Sequence, residues 1–233
     1  MKTGIVAAVA GLAVSSMASA AFTGYVVTSA NTSNSGQNLT VYTVWARFNG
    51  ATDTVLNAFN FAATGGSSLG GFWHKDNAYG NSGVLSQSAG TWNPSQTGAA
   101  AANRPFDSYL TIGNQAIGTN STNADPSWPA AGGSWDRPDL PGNGTIGWFN
   151  SNPPNLQGRV GVGANTATDV RLGQFVLSQG DNAARTYSLT IGFNDGVQGS
   201  AVQFGNGTFS LPAPGAAALV GLAGILVSRR RSN

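Results

Sequence analysis

The chain has 233 residues, of which 9% are charged and 41% hydrophobic, and it contains one His, no Cys and nine acidic residues, every one of them Asp. Without Glu, Cys or a second His, most catalytic and transition-metal constellations lack their ligands, and no disulfide framework can form. The formal net charge of +2 belongs to the ends: without Lys2 and the arginines at 229–231, seven basic residues face nine Asp, so no basic patch for nucleic acid remains in the body.

The amino end predicts a cleavable secretory signal peptide over residues 1–20. Met1 and Lys2 supply its positive start, residues 4–14 an apolar stretch, and Ala18 and Ala20 the small side chains of a cleavage site before Ala21. An uncleaved anchor is the alternative, disfavoured by the shortness of that stretch.

Residues 21–210 read as one all-β domain, an antiparallel two-sheet β-sandwich. Helix formers such as Glu and Lys are scarce, while Gly (33), Asn, Ser and Thr abound, a composition suited to short strands and many turns. Alternation of apolar and polar positions predicts strands at 24–29, 38–48, 55–61, 108–113, 158–163, 170–178, 186–193 and 207–211. The stretch 38–48 has bulk on both faces, which places it centrally with Trp45 in the core. Two polar stretches, 80–104 and 114–155, are too long for hairpin turns and are where a bound partner is expected.

Tryptophan is the most suggestive feature of those stretches. Trp73 flanks the first, with Trp92 inside it, and Trp128, Trp135 and Trp148 fall in the second. Trp73, Trp128, Trp135 and Trp148 are therefore candidate rings for stacking on sugar faces of an extracellular polysaccharide, although aromatic side chains more commonly fill cores.

Other motifs carry less. Gly66-Ser67-Ser68-Leu69-Gly70 matches G-x-S-x-G in letters, yet no helix follows it and no distant His returns to Ser68, so a Gly/Ser turn is expected. His74, between Trp73 and Lys75-Asp76, reads as a partly exposed structural His. No catalytic residue, cofactor or metal site is assigned. Calcium is the one ion the composition would suit, through Asp125, Asp136 and Asp139 or the turn Asn194-Asp195-Gly196, but Asx-turns explain the same residues. The N-x-[ST] matches at Asn31, Asn38, Asn120, Asn143 and Asn206 follow from the composition, and Asn143-Gly144 and Asn206-Gly207 read as turns.

The carboxyl end, 211–233, differs from everything before it. Pro212-Ala213-Pro214 precedes an apolar run from Gly215 to position 227, which as a helix would reach about 20 Å, short of the roughly 30 Å hydrocarbon core. Arg229, Arg230 and Arg231 close the chain and would stay cytoplasmic, leaving the body outside. A Pro-x-Pro motif, a short apolar helix and a terminal arginine cluster resemble the PEP-CTERM sorting signal of bacterial envelope proteins, with Ala213 where that family carries Glu. The resemblance implies export by signal peptidase, transient membrane insertion, and recognition of the tail by an exosortase-type enzyme that releases or attaches the protein at the cell surface. A permanent anchor is the alternative. The body resembles uncharacterised secreted bacterial sandwiches only slightly, at 107–113 and 147–154. The expected role is that of a non-catalytic surface or extracellular-matrix protein, with a carbohydrate-binding module as the competing class.

Overall fold

The computed structural model describes residues 21–75, 84–93, 104–113, 120–125, 128, 135–142 and 146–214. Nine strands occur among them: β1 (Phe22–Asn34), β2 (Gln37–Phe48), β3 (Thr54–Thr64), β4 (Tyr109–Leu110), β5 (Thr122–Ala124), β6 (Ile146–Asn150), β7 (Asp169–Ser178), β8 (Arg185–Asn194) and β9 (Gln203–Leu211). They form a four-stranded sheet in the order β1-β2-β7-β4 and a five-stranded sheet in the order β5-β6-β3-β8-β9. Every pairing is antiparallel. The predicted all-β sandwich is thus observed, while the signal peptide and the apolar helix after Pro214 lie outside the described residues.

Alternation explains how the sheets face one another. In β2, Tyr42, Val44, Ala46 and Phe48 enter the core, and in β7 Leu172 and Phe175 meet them. From the opposite sheet come Ala58 and Phe61 of β3, Ile146 and Trp148 of β6, and Tyr187, Leu189 and Ile191 of β8. Phe61 is the hub: its ring lies 4.9 Å from Tyr187, 6.2 Å from Phe175, 6.3 Å from Trp148 and 6.0 Å from Phe209. Such tilted and offset ring packing adds to the area removed from water. One side of the sandwich is drawn together by Tyr25, whose ring sits 5.8 Å from Phe209 and whose hydroxyl donates to the Leu189 carbonyl at 3.0 Å.

The sequence reading needs four corrections. Residues 158–163 are turns, linked to β3 by one bridge between Arg159 and Thr54. The alternation of Val160 and Val162 imitated a strand, but Gly161 and Gly163 take φ of 72° and 62°, which breaks the extended path. Second, the stretch 114–155 is not loop throughout, because it contributes β5 and β6 to the larger sheet. Third, the regular ladder of the expected strand 108–113 is confined to Tyr109–Leu110, beyond which the Thr111 and Gly113 amides still donate to the Leu172 and Arg171 carbonyls of β7 at 3.0 and 2.7 Å. Fourth, Trp45 lies half-buried on the outer face, since its neighbours Val44 and Ala46 take the inward positions of the pleat. Its Nε1 donates to the Thr28 hydroxyl at 3.1 Å, and the Arg171 guanidinium sits 4.9 Å over its ring.

Candidate functional site

The Pro-x-Pro motif begins where the fold ends. Leu211, last residue of β9, is buried opposite Arg185 of β8, so the chain reaches Pro212 from a paired, interior position. The carbonyl of Pro212 accepts a 2.5 Å hydrogen bond from the Tyr42 hydroxyl, while Ala213 is half-buried and Pro214 buried. Burial pushes the Tyr42 hydroxyl up to about 12, so it remains a protonated donor at any physiological pH. Beside it, Arg185 pairs with Asp181, donates to the Gly70 carbonyl at 2.5 Å and lies 5.0 Å over the Phe72 ring, tying three segments to this end of the sandwich. Gly215, Arg229, Arg230 and Arg231 lie outside the described residues.

Ala21 sits at the opposite end. Its amide donates to Asn49 Oδ1 at 3.1 Å, and its carbonyl accepts from the Asn49 amide at 3.3 Å. The nine residues of β9 between the two ends span about 30 Å of extended chain. Ala18 and Ala20 lie outside the described residues. Among the described residues no helix is long and apolar enough to cross a membrane.

The candidate tryptophans do not form one platform. Trp148 is 2% exposed, with its indole N–H donated to the Thr111 carbonyl at 3.0 Å, and Trp128 is 1% exposed, with its ring 5.1 Å from Trp135. Both are therefore core, correcting the expectation that they present a face to a ligand. Trp148 turns inward because its neighbours Gly147 and Phe149 occupy the outward phase of β6. Trp73 and Trp135 are half-buried. Trp73 is held through its amide to the Val176 carbonyl at 2.9 Å, and Trp135 through its carbonyl to the Trp92 amide at 3.0 Å.

His74 is completely buried rather than partly exposed. Its Nδ1 lies 3.2 Å from the Asp107 carboxylate, its Nε2 lies 3.0 Å from the Pro138 carbonyl, and its ring meets Trp92 edge-on at 4.9 Å. Asp107 also accepts from the Lys75 amide at 3.2 Å. This cluster ties three loop segments to the sandwich and offers no face to a substrate. Sequence reasoning missed Asp107, because no regular element relates it to His74. Ser68 occupies the expected turn: its hydroxyl oxygen accepts from the Gly70 amide at 3.0 Å.

The acidic turns engage their own surroundings. Asp139 Oδ1 accepts from the Gly71 amide at 3.2 Å, Asn194 Oδ1 from the Gly196 amide at 3.0 Å, and Asp195 Oδ1 from the Val197 amide at 3.0 Å. The last two are Asx-turns. Among the described residues no three His, Cys, Asp or Glu side chains gather as metal ligands.

No family model matches the chain, and no curated protein matches it.

Proposed function

We propose that this chain is a non-catalytic, exported bacterial surface or matrix protein whose tail is a PEP-CTERM-like sorting signal read by an exosortase-type enzyme. The observation that carries the reading is the abrupt change at Leu211. A paired sandwich strand ends there, and within three residues the sequence becomes the Pro-x-Pro motif, the apolar run and the arginines. Nothing separates the domain from its tail, so an inserted tail would hold the sandwich against the outer membrane face with Ala21 about 30 Å away. His74 is buried beside Asp107, and the Ser68 hydroxyl is engaged in a local turn with Gly70.

Intact mass of the native protein, from membrane fraction and medium, tests this. A species running from Ala21 to the Pro212–Pro214 region supports the sorting role. A species retaining Arg229–Arg231 makes the tail a permanent anchor and removes the exosortase step.

Polysaccharide binding is a second reading. It is favoured by a cleft on the outer face of the five-stranded sheet rather than by the loop tryptophans.

A further inference from the structure

Around Asn60, β3, the middle strand of the five-stranded sheet, carries one residue more than either neighbour. Against β8, Phe59 pairs with Thr190 and then Ala62 with Ser188; against β6, Ala58 pairs with Trp148 and then Phe61 with Ile146. Asn60 lies in this bulge, exposed, with φ 54°. A left-handed residue other than Gly inside a central strand is costly, and bulges re-aim side chains where a sheet meets a ligand.

A cleft of about 430 Å³ opens at the bulge. Its floor is Gly147 of β6, where an added Cβ would lie 3.1 Å from the Asp125 Cβ, 3.3 Å from the Ala58 carbonyl oxygen and 3.4 Å from the Phe59 Cβ. A side chain there would be in tight contact with all three, so Asp125, Ala58 and Phe59 can close in on this position as they do because it is glycine. Asp125 stands on one side of that floor, its amide donating to the Gly147 carbonyl at 2.9 Å, and Phe59 stands on the other. Phe204 packs edge-on against Phe59 with 6.0 Å between centroids, which steadies the ring. Half-buried Phe149 pairs with Asn57 in the register and extends the apolar wall.

This lining combines hydrocarbon with a carboxylate and an amide. Aromatic carbon suits the C–H faces of a pyranose, while Asp125 accepts from hydroxyls and Asn60 both donates and accepts. No Lys or Arg among the described residues lines the cleft, so the lining offers no cation to a sulfated or uronic polymer. β3 and β6 are each paired on both sides, so an extended peptide cannot add to them as a strand. We infer that the Asn60 bulge and Gly147 floor form a binding subsite for a short neutral stretch of polysaccharide, with Asn60 and Asp125 as polar contacts and Phe59 and Phe149 as apolar ones. The inference rests on the surface-protein reading only for where such a polymer would be met.

The test is titration of the purified full-length protein with short gluco-, manno-, galacto- and xylo-oligosaccharides and with dextran sulfate, followed by amide chemical shifts. Binding of a neutral oligomer is expected, with shifts at residues 59–61 and 147–149 and none with dextran sulfate. Asn60→Gly keeps the left-handed backbone without its cost and removes the amide; Asp125→Ala removes the carboxylate. Each should weaken binding at least tenfold while the folded spectrum persists. Failure of every neutral oligomer to bind, shifts confined to Trp73 and Trp135, binding of dextran sulfate at the cleft, or full affinity in both variants overturns the inference. Because purified protein is used, none of these outcomes depends on how the tail is processed.

Discussion

The Tyr42 hydroxyl donates a 2.5 Å hydrogen bond to the Pro212 carbonyl, joining the middle of β2 to the first residue beyond β9 across 170 positions of sequence. The ring of Tyr42 is core, so its hydroxyl serves as a fixed post for the start of the tail. Tyr42→Phe keeps the ring and removes the donor. About 1 kcal/mol of stability should be lost in urea unfolding, since the Pro212 carbonyl is left without this partner. The larger effect should be local, with limited proteolysis cutting near Pro212–Pro214 several-fold faster than in the parent protein. An unchanged cutting rate would mean that the motif is held by packing of Pro214 and not by Tyr42.

Tryptophan substitutions should divide by face. Trp148 is surrounded by the core and loses its bond to the Thr111 carbonyl when truncated, so Trp148→Ala should cost about 3–5 kcal/mol. Trp45 loses only the Thr28 bond and the Arg171 contact, and Trp45→Ala should cost about 1 kcal/mol. Urea midpoints of the two variants decide the matter, and equal losses would contradict the outer-face position of Trp45.

The legible part of this fold is the part in which alternation runs long enough to declare its phase. β8 shows this over ten residues, with Tyr187, Leu189, Ile191 and Phe193 all inward. β2 instead carries bulk on both faces, which hid the outward position of Trp45, and β7 changes phase between Leu172 and Phe175. β6 is five residues long, between positions rich in Pro and Asn, and its inward Trp148 looked like a loop aromatic. The segment 158–163 had the right period and the wrong residues, because alternating glycines supply no packing on the second face. His74 looked exposed from its charged neighbours, whereas its burial depends on Asp107 and Pro138, which the chain brings in from far away. Pro212-Ala213-Pro214 is local and visible in the sequence, whereas the bond from Tyr42 to Pro212 joins positions 170 apart and is not.

Gly113 is a position where no side chain can be accommodated. It has φ 77°, and an added Cβ would fall 1.6 Å from the Gln157 carbonyl oxygen. That oxygen also accepts from Asn165 Nδ2 at 2.8 Å, while Gln157 Nε2 donates to the Ile112 carbonyl at 2.9 Å, so the backbone cannot retreat without breaking a buried polar cluster. Gly113→Ala should cost about 3 kcal/mol or more, combining left-handed strain with the clash. Gly36→Ala, with open space at its Cβ, should cost less. Thermal midpoints of the two variants test the ranking, and equal midpoints would refute it.

Two aspartates should give opposite pH signatures. Arg47 grips Asp169 with two hydrogen bonds, Nε to Oδ1 at 2.7 Å and Nη2 to Oδ2 at 3.0 Å, and this holds the Asp169 carboxyl below the usual range. A lowered folded-state value means that the unfolded chain binds the proton first as pH falls. The stability it contributes is therefore present above about pH 4 and lost on acidification through the folded value. Burial instead pushes the Asp53 carboxyl up, offset in part by amides of Gly50 and Ala21. Here the folded chain keeps its proton longer, so stability is lost as pH rises through the raised value. Asp169→Asn should lower the thermal midpoint at neutral pH, and the gap to the parent should narrow as pH falls below about 4 and close only below the lowered folded-state value. Asp53→Asn retains an acceptor for the Gly50 amide and removes the buried charge, so its midpoint at neutral pH should equal or exceed the parent's, again converging in acid. Midpoints across that range for the two variants read the signs directly. A destabilised Asp53→Asn at neutral pH would mean that the charge itself, beside the amide of Ala21, is what holds the amino end of β1 in place.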